Sequence, residues 1–581
     1  MTGDSHPNNG HHHNEEDYGT LGFPLYTRPV QRQKWGERQS TPHTNFGDTF
    51  FDLFYVAAAY NLGNLIRQDP SWRGLLYFAG CFWPTFQMWS SKLYYDARYY
   101  TRDDLWHRLY DLATIITLAT AVLHIRSVDI LSTPEENMDM FIFALSVAIG
   151  MLLSIGRFVE IIINVEGQEV AKVASKRDVV YLIVSFGFYL SAAIVAAVKH
   201  FGDDDDDSAG TDAYYGSTDT YKNDTTQHDD GHLRFLAAAA DDSYGSTTKP
   251  DETDLPIWLC IGGAVTVNIG LIVLVCFLLP SNGRHKEVTV PMNVSFTIHR
   301  YGEFVMLMLG ETVLSLLIVD TSESSNYYKA FFSGIISITV LEYLHFRSQP
   351  HKADAHAMRR SKEAGIAFSM LMQLYSAALI VLGTTYKMIL YEFAYESDYS
   401  KRRSLFGGVL ARFLAGSDSS PKYPTDERQQ RIAHLFGGSM ALVWLCMDAM
   451  ILTHRGIKDN LGRCRFENHD STNKKVMACV LVLIRFGLIA LLASLSQYET
   501  APVYLALIGL AGIICQVILR FIATSQFGDD DDDRVIPEGV NAESYRAARA
   551  WPNTTQARVV RKKVVSSNSG NGSVQSDEQH A

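Results

Sequence analysis

Two glutamates sit in the stretch GEFVMLMLGETVLSLLI, Gly302–Ile318, which otherwise has the composition of a membrane-crossing helix. A carboxylate at the centre of a bilayer costs about 2.5–3.5 kcal/mol on insertion scales. Glu303 and Glu311 therefore need a cation, a proton or an aqueous cavity. Arg300 lies three residues before Glu303, one helical turn away, and can pair with it. Glu311 is eleven residues from Arg300, on nearly the same azimuth but three turns deeper and out of its reach. Its partner must come from another helix, with Arg157, Lys387 and Arg485 as candidates. Gly310 beside it is a position where a second backbone or a ligand can approach closely.

Other ionisable residues recur at helical spacing inside apolar runs. Asp48 and Asp52 are four apart and stack on one face. Two carboxylates so close in a low dielectric do not both ionise easily, and one stays protonated unless a cation sits beside them. His107 and Asp111 are four apart, and Asp104 precedes them, which gives an acid–base cluster at i, i+3 and i+7. Arg157 and Glu160 are three apart, as are Glu342 and His345, and both pairs read as structural ion pairs within a helix. Glu311 and the Asp48/Asp52 pair are the leading candidates for binding a cation or proton. Glu303, Arg300, His107 and Asp111 complete the candidate site. A bundle of this size also carries purely architectural ion pairs, so each single pair has a bland reading beside the functional one.

The elements that must position these residues are apolar runs of about 20, long enough to cross a hydrocarbon core of ~30 Å. Twelve are readable, near 46–67, 72–92, 106–125, 138–163, 178–200, 256–279, 296–319, 327–346, 364–390, 432–454, 475–497 and 502–524. Backbone in lipid must bond internally and the alternation of a β-barrel is absent, so the expected fold is all-α, a polytopic helical bundle of about twelve spans. The expected organisation is a polar N-terminal tail over 1–45, a helical domain over 46–524 and a disordered tail over 525–581. The domain is interrupted by an acidic loop at 201–255 and a basic loop at 391–431. The net charge of −12 belongs to the acidic loop, which has fifteen Asp/Glu against three Lys/Arg.

Lys and Arg crowd alternate loops, which puts both termini in the cytoplasm of a plasma membrane or endomembrane protein. The basic loop at 391–431 does not fit this alternation, and its SLFGGVLARFLAG stretch could lie on the membrane surface. The acidic loop then faces outside, where the sequon at Asn223 is the glycosylation candidate; those at Asn553 and Asn571 would be cytoplasmic. The first 45 residues contain no short apolar leader, so the first apolar run is expected to act as the insertion signal.

Several chemistries find no support. The seven cysteines show no zinc spacing, and six lie in apolar runs. The His11–His13 triplet alone is weak evidence for metal, and the two FGDDDDD strings read as solvated acidic segments. There is no HExxH, no phosphate-binding glycine loop and no GxSxG. No cofactor or metal is expected. Basic residues are spread over loops, where anionic lipid is the natural partner and nucleic acid is not.

Three stretches together carry a resemblance. They are FFDLFYVAAAYNLG (Phe50–Gly63), WPTFQMWSSKLYYDARYYTRDDLWHRLYDLATII (Trp83–Ile116) and HRYGEFVMLMLGETVLSLL (His299–Leu317). In order and spacing they resemble the low temperature requirement A family of polytopic bacterial and fungal-type membrane proteins, over roughly 40–390. The resemblance carries the family's polar positions onto Asp52, then Asp104, His107 and Arg108, then Arg300, Glu303, Gly310 and Glu311. The acidic loop and C-terminal tail stand outside it. A later His-Leu-Pro-type motif is replaced here by RSKEAG, Arg360–Gly365. The resemblance implies a multi-span membrane protein and no particular reaction.

The leading expectation is a transporter or channel-like protein for an ion or small solute, with the lipid bilayer as its environment. The alternatives are an intramembrane enzyme acting on a lipid or lipid-linked substrate through Asp104, His107 and Asp111, and a membrane sensor or scaffold without turnover. The six-span halves show no internal repeat to favour transport.

Overall fold

The computed structural model describes residues 24–35, 46–100, 104–126, 138–164, 169–202, 254–274, 289–319, 324–350, 356–405, 426–455, 471–495 and 501–527. Asn223, Asn553, Asn571, the His11–His13 triplet and residues 406–416 of the expected surface helix lie outside them.

Each of the twelve apolar runs falls on a helix. They are α1 Phe46–Gln68, α2 Trp72–Arg98, α3 Leu105–Leu123, α4 Met138–Asn164, α5 Glu169–Gly202, α6 Leu255–Val273, α7 Val294–Leu317 and α8 Ser325–Ser348. After the one-turn α9 Ala357–Arg360 come α10 Lys362–Leu405, α11 Asp426–Arg455, α12 Ser471–Leu495 and α13 Pro502–Phe527. Six stretches are by length and composition long and apolar enough to cross a membrane: Met138–Asn164, Glu169–His200, Leu255–Val273, Lys362–Tyr391, Glu427–His454 and Val503–Ile522. α1, α2 and α7 carry more interior charge and supply most of the polar site, to which α3, α4 and α10 add Asp111, Arg157 and Lys387. α10 runs on to Leu405, past the span end expected at 390. Residues 391–405 contain no glycine or proline to stop it.

The caps follow the sequence. Ser71 opens α2 by accepting from Arg73 N at 3.1 Å, and Asn293 opens α7 by accepting from Phe296 N at 3.0 Å. Asp104 opens α3 by accepting from His107 N at 2.8 Å. The segment before α1 is tied to these ends. β1, Val30–Gln31, pairs antiparallel with β2, Tyr99–Tyr100. Thr27 N and Oγ1 donate to Asp104 at 2.8 and 2.5 Å.

α1, α7 and α10 pack against one another and run parallel. Asp52 meets Arg300 and Tyr55 meets Phe304, while farther along Ala59 and Gly63 line the same space as Glu311 and Ser315. Tyr301 stacks edge-on to Phe368 at 5.8 Å, and one end farther along Thr312 meets Gly383. Parallel packing brings three non-consecutive helices into one register and makes a shared site possible.

Two glycines set how close they come. A Cβ on Gly63 would lie 2.6 Å from Thr384 Oγ1, and one on Gly383 would lie 2.7 Å from Thr312 Oγ1 and 2.9 Å from its Cγ2. Gly310, expected to be the point of close approach, faces open space with nothing within 4 Å. The small residue at that place in the sequence sits on the outer face of α7. Gly383→Leu should therefore destabilise the protein by about 1–3 kcal/mol through overpacking. Gly310→Ala should be neutral or gain up to ~1 kcal/mol of helix propensity. Thermal unfolding of both variants in detergent checks the contrast.

Candidate functional site

The site has two polar levels joined by the same helices. At the first, Arg300 on α7 donates to Asp52 Oδ1 on α1 at 2.9 Å, to Glu303 Oε2 at 2.9 Å and to the carbonyl of Asp48 at 3.3 Å. Trp89 Nε1 on α2 donates to the same Asp52 oxygen at 2.9 Å. Asp52 is wholly buried and Arg300 nearly so. Beside them Lys92 sits among three carboxylates: Asp96 at 2.6 Å, Asp48 at 3.1 Å and Asp111 at 3.8 Å. Arg157 on α4 closes the group on Asp111, with Asp96 at 3.9 Å. Five carboxylates thus share three cations, with His299 at 3.1 Å from Glu303 on the margin.

The second level lies eleven residues farther along α7, about 16 Å at 1.5 Å per residue. Glu311 accepts from Ser315 Oγ at 2.9 Å through Oε1, while its buried Oε2 has no hydrogen-bond partner. Across from it Lys387 on α10 is 3 % exposed and lies over the Tyr60 ring, 4.5 Å from the centroid. No ion pair within 4.0 Å joins Glu311 to Lys387 among the described residues. Between them is a cavity of about 10 Å³, lined also by Gly63, Thr312, Gly383 and Thr384. That is room for about one water. Thr312 and Thr384 donate their hydroxyl protons to Met308 O and Ile380 O at 3.1 and 2.9 Å, which leaves their lone pairs for a guest.

Aromatic rings separate the levels. Phe304 packs on Trp89 at 4.3 Å, Phe86 at 5.6 Å and Tyr55 at 5.7 Å between ring centroids, and all four are buried.

The residues singled out from sequence divide unevenly. Arg300 and Glu303 pair as expected. Asp48 and Asp52 each have a cation beside them, Lys92 and Arg300, the condition their spacing sets for both to ionise. Arg157 and Glu160 do not pair with each other, because cross-helix partners stand closer. Arg157 goes to Asp111, and Glu160 lies 3.2 Å from His107 Nε2. His107 and Asp111 likewise part company, since His107 Nδ1 is held at 2.7 Å by Asp104. Among the described residues no ion pair joins Glu342 to His345. His345 is instead buried and stacked on Tyr375 at 5.1 Å. Of the three cations proposed for Glu311, Arg157 is taken by Asp111 and Arg485 by Asp448, which leaves Lys387 facing it.

Lys92 was readable only as a loop charge and Asp96 not at all, because α2 continues through both to Arg98. Their i, i+4 spacing next to an aromatic span was the available signal. Among the described residues no group of three or more His, Cys, Asp or Glu is arranged to hold a metal ion. A larger open groove, about 660 Å³, lies beside Glu160 between α3 and α4, lined mainly by apolar side chains such as Leu105, Trp106, Leu109 and Ile163, with Tyr26 from the N-terminal segment. Burial and the neighbouring Glu160 push the Tyr26 hydroxyl up to about 12, so it stays a neutral donor and acceptor.

Residues 252–457 match the family described as bacterial low temperature requirement A protein (LtrA). The match contains the His299–Leu317 motif and Lys387; the motifs in α1 and α2 precede it. No curated protein and no solved structure matches the chain.

Removing one partner of a buried pair leaves an uncompensated charge, at a cost of about 3–5 kcal/mol, whereas replacing both costs far less. Arg300→Met should therefore sharply lower stability in detergent, and Asp52→Asn combined with Arg300→Met should recover part of the loss. Unfolding midpoints of the two variants and the parent check this.

Proposed function

Starting from a membrane protein that belongs to the low temperature requirement A family by its match over 252–457, we propose that it moves a small ion or solute across the membrane, as a transporter or channel-like protein. The observation that carries the reading is the buried acid, Glu311, facing a buried lysine across a cavity with no direct contact between them. An architectural ion pair closes up to recover its Coulomb energy. Two charges held apart around an empty space suit a guest that comes and goes. The charged level around Asp52 and Arg300 and the aromatic layer at Phe304 lie in line with that cavity, an arrangement that suits a path closed in this conformation. The twelve-span reading is supported by α1, α7 and α10, the first, seventh and ninth apolar runs, which run parallel as odd-numbered spans must; cytoplasmic termini rest on the Lys/Arg bias of the loops.

The lipid-enzyme alternative relied on Asp104, His107 and Asp111 acting together. It is weakened because only part of that cluster comes together: Asp104 holds His107 Nδ1, but Asp111 answers Arg157.

Reconstitution into liposomes with fluorescent reporters of ion and proton movement tests the proposal. Wild type should give flux above empty vesicles, and Glu311→Gln should reduce it at least ~10-fold, the scale of losing about 1.4 kcal/mol of site stabilisation. Equal flux in the two, with both folded, would remove Glu311 from the path.

A further inference from the structure

We propose that the Glu311–Lys387 cavity exchanges a proton and excludes metal cations; this rests on the transport reading above and names its ion. The cavity offers five oxygen-bearing side chains, Tyr60, Glu311, Thr312, Ser315 and Thr384, which by count alone could ligate a sodium ion. Charge decides otherwise. The Lys387 ammonium faces the same space of about 10 Å³. A second cation would sit within a few ångströms of it in a medium of low dielectric, where like charges repel strongly. Arg67, at the end of α1, is close enough to Lys387 to act on it electrostatically and adds positive charge to this region. The Tyr60 ring lies against the ammonium, 4.5 Å from centroid to Nζ, a cation–π contact that favours this position.

A proton needs no such volume. With one water in the cavity, Lys387 Nζ gives a proton to the water while the water gives one of its own to Glu311 Oε2. One N–H and one water O–H bond break, one water O–H and one carboxyl O–H bond form, and the site is neutral before and after; a proton arriving through water then restores the Lys387 ammonium while Glu311 stays a carboxyl, and that is the form a fall in pH populates. Glu311 Oε2, buried and without a hydrogen-bond partner, is the open acceptor. The charged and titratable groups facing this exchange are Lys387 from α10 and Tyr60 and Arg67 from α1, while Ser315 holds the other carboxylate oxygen.

Infrared difference spectroscopy on the full-length protein in liposomes tests this without relying on flux. A pH jump should change a carboxyl C=O band that is lost entirely in Glu311→Gln. Sodium or potassium added at constant pH should leave that band unchanged in wild type. In Lys387→Met, or in Lys387→Gln if the first does not fold, sodium should perturb it, because the excluding charge is gone. A wild-type band that responds to sodium or potassium at fixed pH would overturn the proposal in favour of a metal cation site. Absence of any Glu311-dependent band on a pH jump would overturn proton exchange itself. An intact infrared response in a protein that moves no ion would sink the transport reading and leave the proton site standing.

Discussion

A guanidinium inside a helical bundle has to find carboxylates, and Arg300 finds two, Asp52 on a neighbouring helix and Glu303 on its own next turn. It also reaches the backbone carbonyl of Asp48. These contacts lock α1 against α7 at one end of their shared length. Because the two helices run parallel, a lock at Asp52 and Arg300 also fixes the register farther along, where Gly63 lets Thr384 of α10 come close. The position of Glu311 relative to Lys387 is a consequence of that register. The geometry of the deeper cavity therefore depends on the contact at the first level.

The two levels treat charge in opposite ways. Around Lys92 and Arg157 the carboxylates are in direct contact with cations, and the cost of desolvation is offset by several short contacts at once. Around Glu311 the opposite charges are kept apart by the packing of three helices. Thr312 against Gly383 and Gly63 against Thr384 hold the backbones in place, so the side chains cannot collapse onto each other without losing that fit. The aromatic layer at Phe304 lies between the two regimes, and its Trp89 donates to Asp52 on the charged side.

Much of the fold was legible from the sequence because apolar runs of membrane length have few alternatives to a helix; among the described residues, each of the twelve runs from 46–67 to 502–524 overlaps a helix. The site was legible only in its local part. Arg300 with Glu303 is set by one helix turn, and spacing alone finds it. The partners of Asp48, Arg157, Glu160 and His107 are set by which helices are neighbours, and spacing within one helix picked the wrong ones. Arg157 is the plainest case: Glu160 is one turn away, but Asp111 of α3 stands directly across. Gly310 failed for a related reason, since sequence adjacency to Glu311 puts it on a different face. Lys387 stood among three candidates for Glu311, and only packing could separate it from Arg157 and Arg485.

A double-mutant cycle on unfolding in detergent, using Glu311→Gln, Lys387→Met and the two together, tests most directly that these residues form one site. The account predicts strongly non-additive effects, with a coupling of about 0.5–3 kcal/mol although the side chains are not in contact. Effects that add within ~0.3–0.5 kcal/mol would mean that Glu311 and Lys387 are independent buried charges. That result would contradict the account.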